Sequence, residues 1–257
     1  MEISLEVIIF LVLASGFAGF VDAIAGGGGL IQLPSLIIAL PNKELPLILG
    51  TNKVPSIFGT TAAARNYFKN IKPDIPLTLT MMFPAFIGSM AGAALAASVP
   101  VGFFRPFIVL LLILVATYTW RKPDLGMDEN LKFTYKKRLI IVALIGFSIG
   151  FYDGIFGPGT GTFLVFFLVS VIGYAFLKAS GTAKLVNIAT NAGAILSFQL
   201  TGHIWWQLGL LLAFANVTGA IIGSRMAIRG GSVLVRKVFL VVTFLLITRV
   251  AWDTFIS

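Results

Sequence analysis

The sequence predicts an all-α integral membrane protein of about ten helical segments, some short or broken, arranged as two inverted-topology repeats of five. Three observations predict it: apolar runs along the whole chain, an internal duplication held in one register, and basic loops that change sides between the halves. Of the 257 residues 58% are apolar and 11% charged, with a mean hydropathy of +0.98. A soluble domain keeps roughly a quarter of its residues charged. A spanning helix takes about 20 mainly apolar residues, so helices and short loops use up the chain and leave no length for a soluble domain.

The segments, bounded by Gly, Pro or charge, run 5–25, 28–41, 46–66, 75–98 and 102–120, then 138–156, 159–176, 177–199, 205–228 and 233–253. The N-terminus, Met1 to Phe10, carries Glu2 and Glu6 but no Lys or Arg; a cleavable signal peptide opens on basic residues, so this stretch reads as the first membrane helix. Segment 28–41 would rise only about 20 Å as a helix, and both it and 159–176 follow a glycine cluster. Segments 46–66 and 177–199 each carry a lysine, Lys53 and Lys184, inside the apolar run. Gly88-xxx-Gly92-xxx-Ala96 and Gly219-xxx-Gly223-xxx-Ala227 read as seams for close helix packing. His203, in TGHIWW beside Trp205 and Trp206, fits an aromatic belt at the membrane interface. The sequence holds no second histidine to build a metal site or triad, and no cysteine for disulfides, thiolate ligands or thiol chemistry.

The two glycine clusters match. GFVDAIAGGG at 19–28 aligns with GFYDGIFGPG at 150–159, which pairs Asp22 with Asp153 at an offset of 131 residues. The same offset, without a gap, pairs Gly50, Thr51 and Lys53 with Gly181, Thr182 and Lys184, and Gly88, Gly92 and Arg105 with Gly219, Gly223 and Arg236. One register across the half-chain marks a duplication. It divides the chain into a first membrane repeat at 1–125, a cytoplasmic linker at 126–137 and a second membrane repeat at 138–257.

Basic loops give the orientation of the halves. In the first, Arg65, Lys69 and Lys72 form the basic loop, and the turn near Pro100 has only Arg105. In the second, the turn matching Pro100 carries Arg225, Arg229, Arg236 and Lys237, while the loop matching 65–72 has no Lys or Arg. The basic side has swapped, so the repeats run inverted. The central loop, with Arg121, Lys122, Lys132, Lys136, Lys137 and Arg138, then lies inside, and both termini lie outside. The net charge of +9 is therefore a topology signal, and nucleic acid drops out as a partner.

Three sets of residues could carry chemistry. The first is Gly26, Gly27, Gly28 and Gly29 with Gly157, Gly159 and Thr160. A break inside a membrane segment frees backbone groups that lipid cannot satisfy, so it must be buried in protein or line a wet cavity. A helix restarting there turns the positive end of its dipole to the gap, where an anion fits; close packing through small residues is the alternative. The second set is Lys53 and Lys184, each about 10 Å into its helix and entering from opposite faces. Unpaired ammonium groups at that depth would draw an anion, unless they snorkel to the interface. The hydroxyl and amide groups of Thr51, Asn52, Thr182, Asn187 and Asn191 lie within two turns and could donate to an oxyanion or bond neighbouring helices. The third set is Asp22 and Asp153, which either couple transport by carrying a proton or cation, or pair with the lysines.

Taken together, GFVDAIAGGGGLIQLPSL at 19–36, GTNK at 50–53, GFYDGIFGPGTGTF at 150–163 and AKLVNIATN at 183–191 resemble the sulfite exporter TauE/SafE family, in its YfcA-like membrane transporter subgroup. The resemblance runs from about residue 16 to residue 253. It implies transport of small, mostly sulfur-containing anions such as sulfite or sulfonates, or related organic acids, generally outward, across a bacterial inner membrane. The second motif, GPGTG, and the aspartate four residues before each glycine break depart from the GxGGG pattern of many members.

The expectation is a secondary transporter of a small anion, with the proton as a candidate coupling ion and the site between the halves near the midplane. An anion channel is the alternative; a membrane-embedded enzyme fits less well, because two symmetric aspartates and one histidine make no asymmetric catalytic set. The partners read from the sequence are the small anionic substrate and the lipid bilayer, with no cofactor and no metal.

Overall fold

A computed structural model describes residues 4–96, 98 and 113–255, and every regular element among them is helical. Helix α1 (Leu5–Ala25) starts where the Ser4 hydroxyl accepts from the Val7 N–H at 3.4 Å and stops at Gly26, whose φ of 84° only glycine adopts without strain. After it come α2 (Gly29–Ala39), α3 (Leu45–Asn70) and α4 (Ile75–Leu95), the last capped by the Asp74 carboxylate at 3.1 Å from Leu77 N. Residues 113–121 are helical (α5), and α6 spans Tyr135–Ile155. Next, α7 (Thr160–Phe167) runs into a π turn at Leu168–Ile172 that ends at Gly173 (φ 92°), followed by α8 (Phe176–Leu200) and α9 (Trp206–Phe255). The two helices expected at 205–228 and 233–253 form the arms of α9, which break only at Gly231 (φ 62°, ψ −163°). The start of segment 102–120, the turn near Pro100, Arg105 and its match to Arg236 lie outside the described residues.

By length and composition α1, α4 and α6 are apolar enough to cross a membrane. With 11 residues, α2 rises about 16 Å, roughly half the hydrocarbon thickness, so it cannot cross alone. The outer surface is apolar, and polar side chains lie within the apolar core: Leu13, Phe83, Leu144 and Phe214 are exposed, while Thr51, Lys53, Asp153, Thr162, Lys184 and Thr190 are buried. Water would drive the reverse distribution, so the exposed belt fits lipid.

Helix α1 packs on α9 and α6 on α4, while α3 and α8 lie against each other and against α9 and α4 respectively. The glycine seams set these approaches. A Cβ at Gly88 would stand 2.3 Å from Phe147 O, and one at Gly219 would stand 1.9 Å from Gly16 O. A Cβ at Gly19 would stand 2.2 Å from Asn216 O, and one at Gly150 2.2 Å from Ala85 O. Each contact recurs at the 131-residue offset with its partners exchanged. The segment 126–137 is tied down: Asn130 N–H donates to Gly173 O at 2.8 Å, Phe176 N–H to Gly126 O at 2.7 Å, and Lys178 pairs with Glu129 at 2.7 Å.

Candidate functional site

The two glycine breaks meet at the centre of the molecule. Gly26 ends α1 with its N–H on Asp22 O at 2.8 Å, and Gly28 N–H reaches the Asp22 Oδ1 at 3.3 Å. In the second break Gly157 (φ 92°) and Gly159 (φ 81°) turn the chain from α6 into α7. The breaks touch through Gly26 and Gly161, where any Cβ would strike backbone, and Thr162 N–H donates to Gly26 O at 3.2 Å. Both half-helices, α2 and α7, begin here, so the positive ends of their dipoles face the same region.

Two ion pairs cross this region. Lys53 Nζ on α3 lies 2.8 Å from Asp153 Oδ1 on α6 and also donates to Asp153 O at 2.7 Å. Lys184 Nζ on α8 lies 2.9 Å from Asp22 Oδ2 on α1 and donates as well to Asp22 O. Each lysine therefore pairs with the aspartate of the other half of the chain. The expectation of two unpaired ammonium groups is corrected: burial forces each cation onto a carboxylate and a carbonyl, and neither snorkels. Of the two readings left open for Asp22 and Asp153, pairing with the lysines is what the geometry contains.

The pairs are not equivalent. Asp153 is 3% exposed, and its Oδ1 also accepts from Thr160 Oγ1 at 2.7 Å. The Asp22 side chain is 18% exposed, and the position matching Thr160 is Gly29, which has no hydroxyl. The backbone repeats, whereas the polar lining does not.

Against these pairs lies a partly enclosed cavity of about 30 Å3, room for about two waters. Its polar lining is made by Asp22, Lys53, Asp153 and Thr160, with the amides of Gln32, Asn52, Asn187, Asn191 and Asn216 and the hydroxyls of Ser56 and Thr60. Gly26, Gly28, Gly29, Gly157 and Gly159 complete the wall. A side chain at Gly157 would stand 2.9 Å from Lys53 Nζ, so glycine here is what lets the lysine reach the break.

Most sequence-predicted site residues converge on this cavity, but four do not line it. Lys184, 0% exposed, stands behind Asp22. Thr51 accepts from Trp205 N–H at 2.9 Å, which ties α3 to the start of α9. Gly27 packs against Val242, and Thr182 is buried away from the cavity. Sequence reasoning missed Gln32, Ser56, Thr60 and Asn216. Asn216 was legible in principle, as a carboxamide three residues before Gly219 where its counterpart is Ala85. Its Nδ2 donates to Ser15 O at 3.1 Å and to Gln32 Oε1 at 2.9 Å. His203 stays at the periphery, bonded to Thr201 at 2.8 Å.

Half-helices that meet at a partly enclosed polar cavity, inside a jacket of lipid-facing helices, are the build of a membrane transporter. The comparisons agree and name the group. The chain belongs to the family described as sulfite exporter TauE/SafE, which matches residues 11–250. It is 35% identical to "Probable membrane transporter protein ORF9" of Sinorhizobium sp., over 98% of this chain and 95% of that one. It is 30% identical to a "Probable membrane transporter protein" of Haemophilus influenzae, over 98% of each chain. It is also 31% identical to "Probable membrane transporter protein YfcA" of Escherichia coli, over 92% of this chain and 87% of that one. No solved structure matches the chain.

Proposed function

We propose that this protein is a secondary transporter that moves a small sulfur-containing or organic anion outward across a bacterial inner membrane. The observation that carries the reading is the convergence of two half-helix starts on one partly enclosed cavity crossed by Lys–Asp pairs. With both lysines neutralised, the pull on an anion comes from the starts of α2 and α7, from the amide donors, and from the one N–H that Lys53 has free of Asp153. The family description, sulfite exporter, supports both the charge of the cargo and its direction.

In this reading the halves 1–125 and 138–257 are inverted repeats that rock about the cavity, with 126–137 as the cytoplasmic linker and both termini outside. The exchanged contacts at the 131-residue offset support it. The crossed pairs then hold the halves together, and each carboxylate can release its lysine when a proton or the anion arrives, which is how Asp22 and Asp153 would couple transport. The protein's work is transport rather than catalysis.

A thermal-stability screen of the purified protein tests the cargo class, because a ligand that binds the folded state raises its apparent stability. Sulfite, thiosulfate, sulfoacetate or a small carboxylate should raise the melting temperature in proportion to the logarithm of concentration, and organic cations should not. Stabilisation by cations alone would reject an anion site.

A further inference from the structure

Two residues that line the cavity each carry a buried polar atom whose chemistry is settled and which has no partner among the described residues. The first is Gln32 Nε2, on a residue 2% exposed. Its identity follows from its neighbours: Asn216 donates through Nδ2 to the carbonyl of Ser15, so the Gln32 atom that faces the same Nδ2 is an acceptor, Oε1. The nitrogen of Gln32 is therefore a free donor. The second is Asp153 Oδ2. As the anionic half of an ion pair it has lone pairs and no hydrogen, so it can only accept. Buried polar groups without partners are costly, and both of these residues line the same cavity.

We propose that the cavity, when it widens beyond the two-water space of this conformation, selects small anions that also carry a hydrogen-bond donor, an O–H or N–H, with the anionic oxygens at Gln32 Nε2 and the donor at Asp153 Oδ2. This inference rests on the anion-transport reading and narrows its substrate class. An anion with acceptors only would satisfy Gln32 but turn its lone pairs on Asp153 Oδ2. A hydroxylated or protonated anion satisfies both ends. Thr160 and Lys53 hold Asp153 through Oδ1 and leave Oδ2 to the ligand. The matching Asp22 gives its two oxygens to Gly28 N–H and Lys184, so the donor is read on one side of the cavity only.

The test uses anion pairs of equal heavy-atom count that exchange O–H for CH3: 2-hydroxyethanesulfonate against propane-1-sulfonate, and glycolate against propionate. Their affinities for the purified full chain are measured by calorimetry. The hydroxylated member of each pair should bind about tenfold more tightly or better, the usual effect of a hydrogen bond to a charged group. Asp153→Asn keeps an oxygen for Lys53 and Thr160 and sets an amide N–H at the Oδ2 position, so it should abolish or reverse the preference. Gln32→Leu should weaken both members alike and leave their ratio unchanged. Equal affinities within each pair for the unmodified protein would overturn the donor requirement, whatever the variants do. A preference that survives Asp153→Asn would overturn its assignment to Asp153. Failure of both members of every pair to bind would instead overturn the anion site itself, and this inference with it.

Discussion

Breaking the crossed ion pairs should cost unequal amounts, in an order set by what each substitution leaves behind. Lys53→Met strips the ammonium from Asp153, a carboxylate 3% exposed whose side chain then keeps only the Thr160 hydroxyl. Removing one partner of a fully buried pair costs about 3–5 kcal/mol. At about 2–4 °C per kcal/mol for a chain of this size, the melting temperature should fall by roughly 10 °C. Lys184→Met leaves Asp22, whose side chain is 18% exposed and still accepts from Gly28 N–H, so water and that bond offset part of the loss. Its cost should be about 1–2 kcal/mol, nearer that of one hydrogen bond. The reverse deletion, Asp22→Asn, leaves the Lys184 ammonium at 0% exposure with a neutral amide and the residue-22 carbonyl, so it should be the harsher of the two. Lys53→Met combined with Asp153→Leu removes both charges and should recover most of the loss. The assay is thermal unfolding of detergent-purified protein, followed by size-exclusion chromatography. If Lys184→Met proves as damaging as Asp22→Asn, or if the double variant is no better than Lys53→Met, the ion pairs are not what the geometry indicates.

Asp22→Asn and Asp153→Asn should each alter the pH dependence of transport in proteoliposomes if the carboxylates couple proton to cargo; unchanged profiles in both would leave them as structural pairs only. The proposed orientation places cysteine at Asn130 on the cytoplasmic side and cysteine at Ser257 outside. In this cysteine-free chain an impermeant maleimide should label the second and spare the first in intact cells, and the opposite pattern would reject the inverted arrangement. Gly157→Ala should lower stability by about 1–3 kcal/mol in unfolding assays, since φ is 92° and the new methyl meets Lys53 Nζ.

The helices were legible because lipid demands long apolar runs, and their ends followed the signals that break them. Gly26, Gly157 and Gly231 all sit at real breaks, each with positive φ. The duplication, with charge inside apolar segments, singled out Asp22, Lys53, Asp153 and Lys184, which the fold brings together. Pairing of the aspartates with the lysines was one of two open readings, but which aspartate meets which lysine was not legible. It depends on α3 crossing to α6 and α8 to α1, and no local pattern carries that information. The reading of free ammonium groups failed because each lysine is buried against the carboxylate of the other half. Thr51 and Thr182 were placed in the site by proximity in sequence, but helical rotation turns Thr51 towards Trp205. Gln32 and Asn216 escaped notice because the duplication gives them apolar partners, Phe163 and Ala85, and attention to matched positions passes over the residues that make the two halves differ.

The central claim is that a small anion crosses through this cavity by alternating exposure. Counterflow in proteoliposomes tests it most directly: vesicles loaded with unlabelled sulfite or a hydroxylated sulfonate should transiently accumulate the labelled anion, saturably and without large currents, and Gln32→Leu should weaken it. An anion flux that rises linearly with concentration and passes large single-channel currents, or a flux indifferent to Gln32, would contradict it.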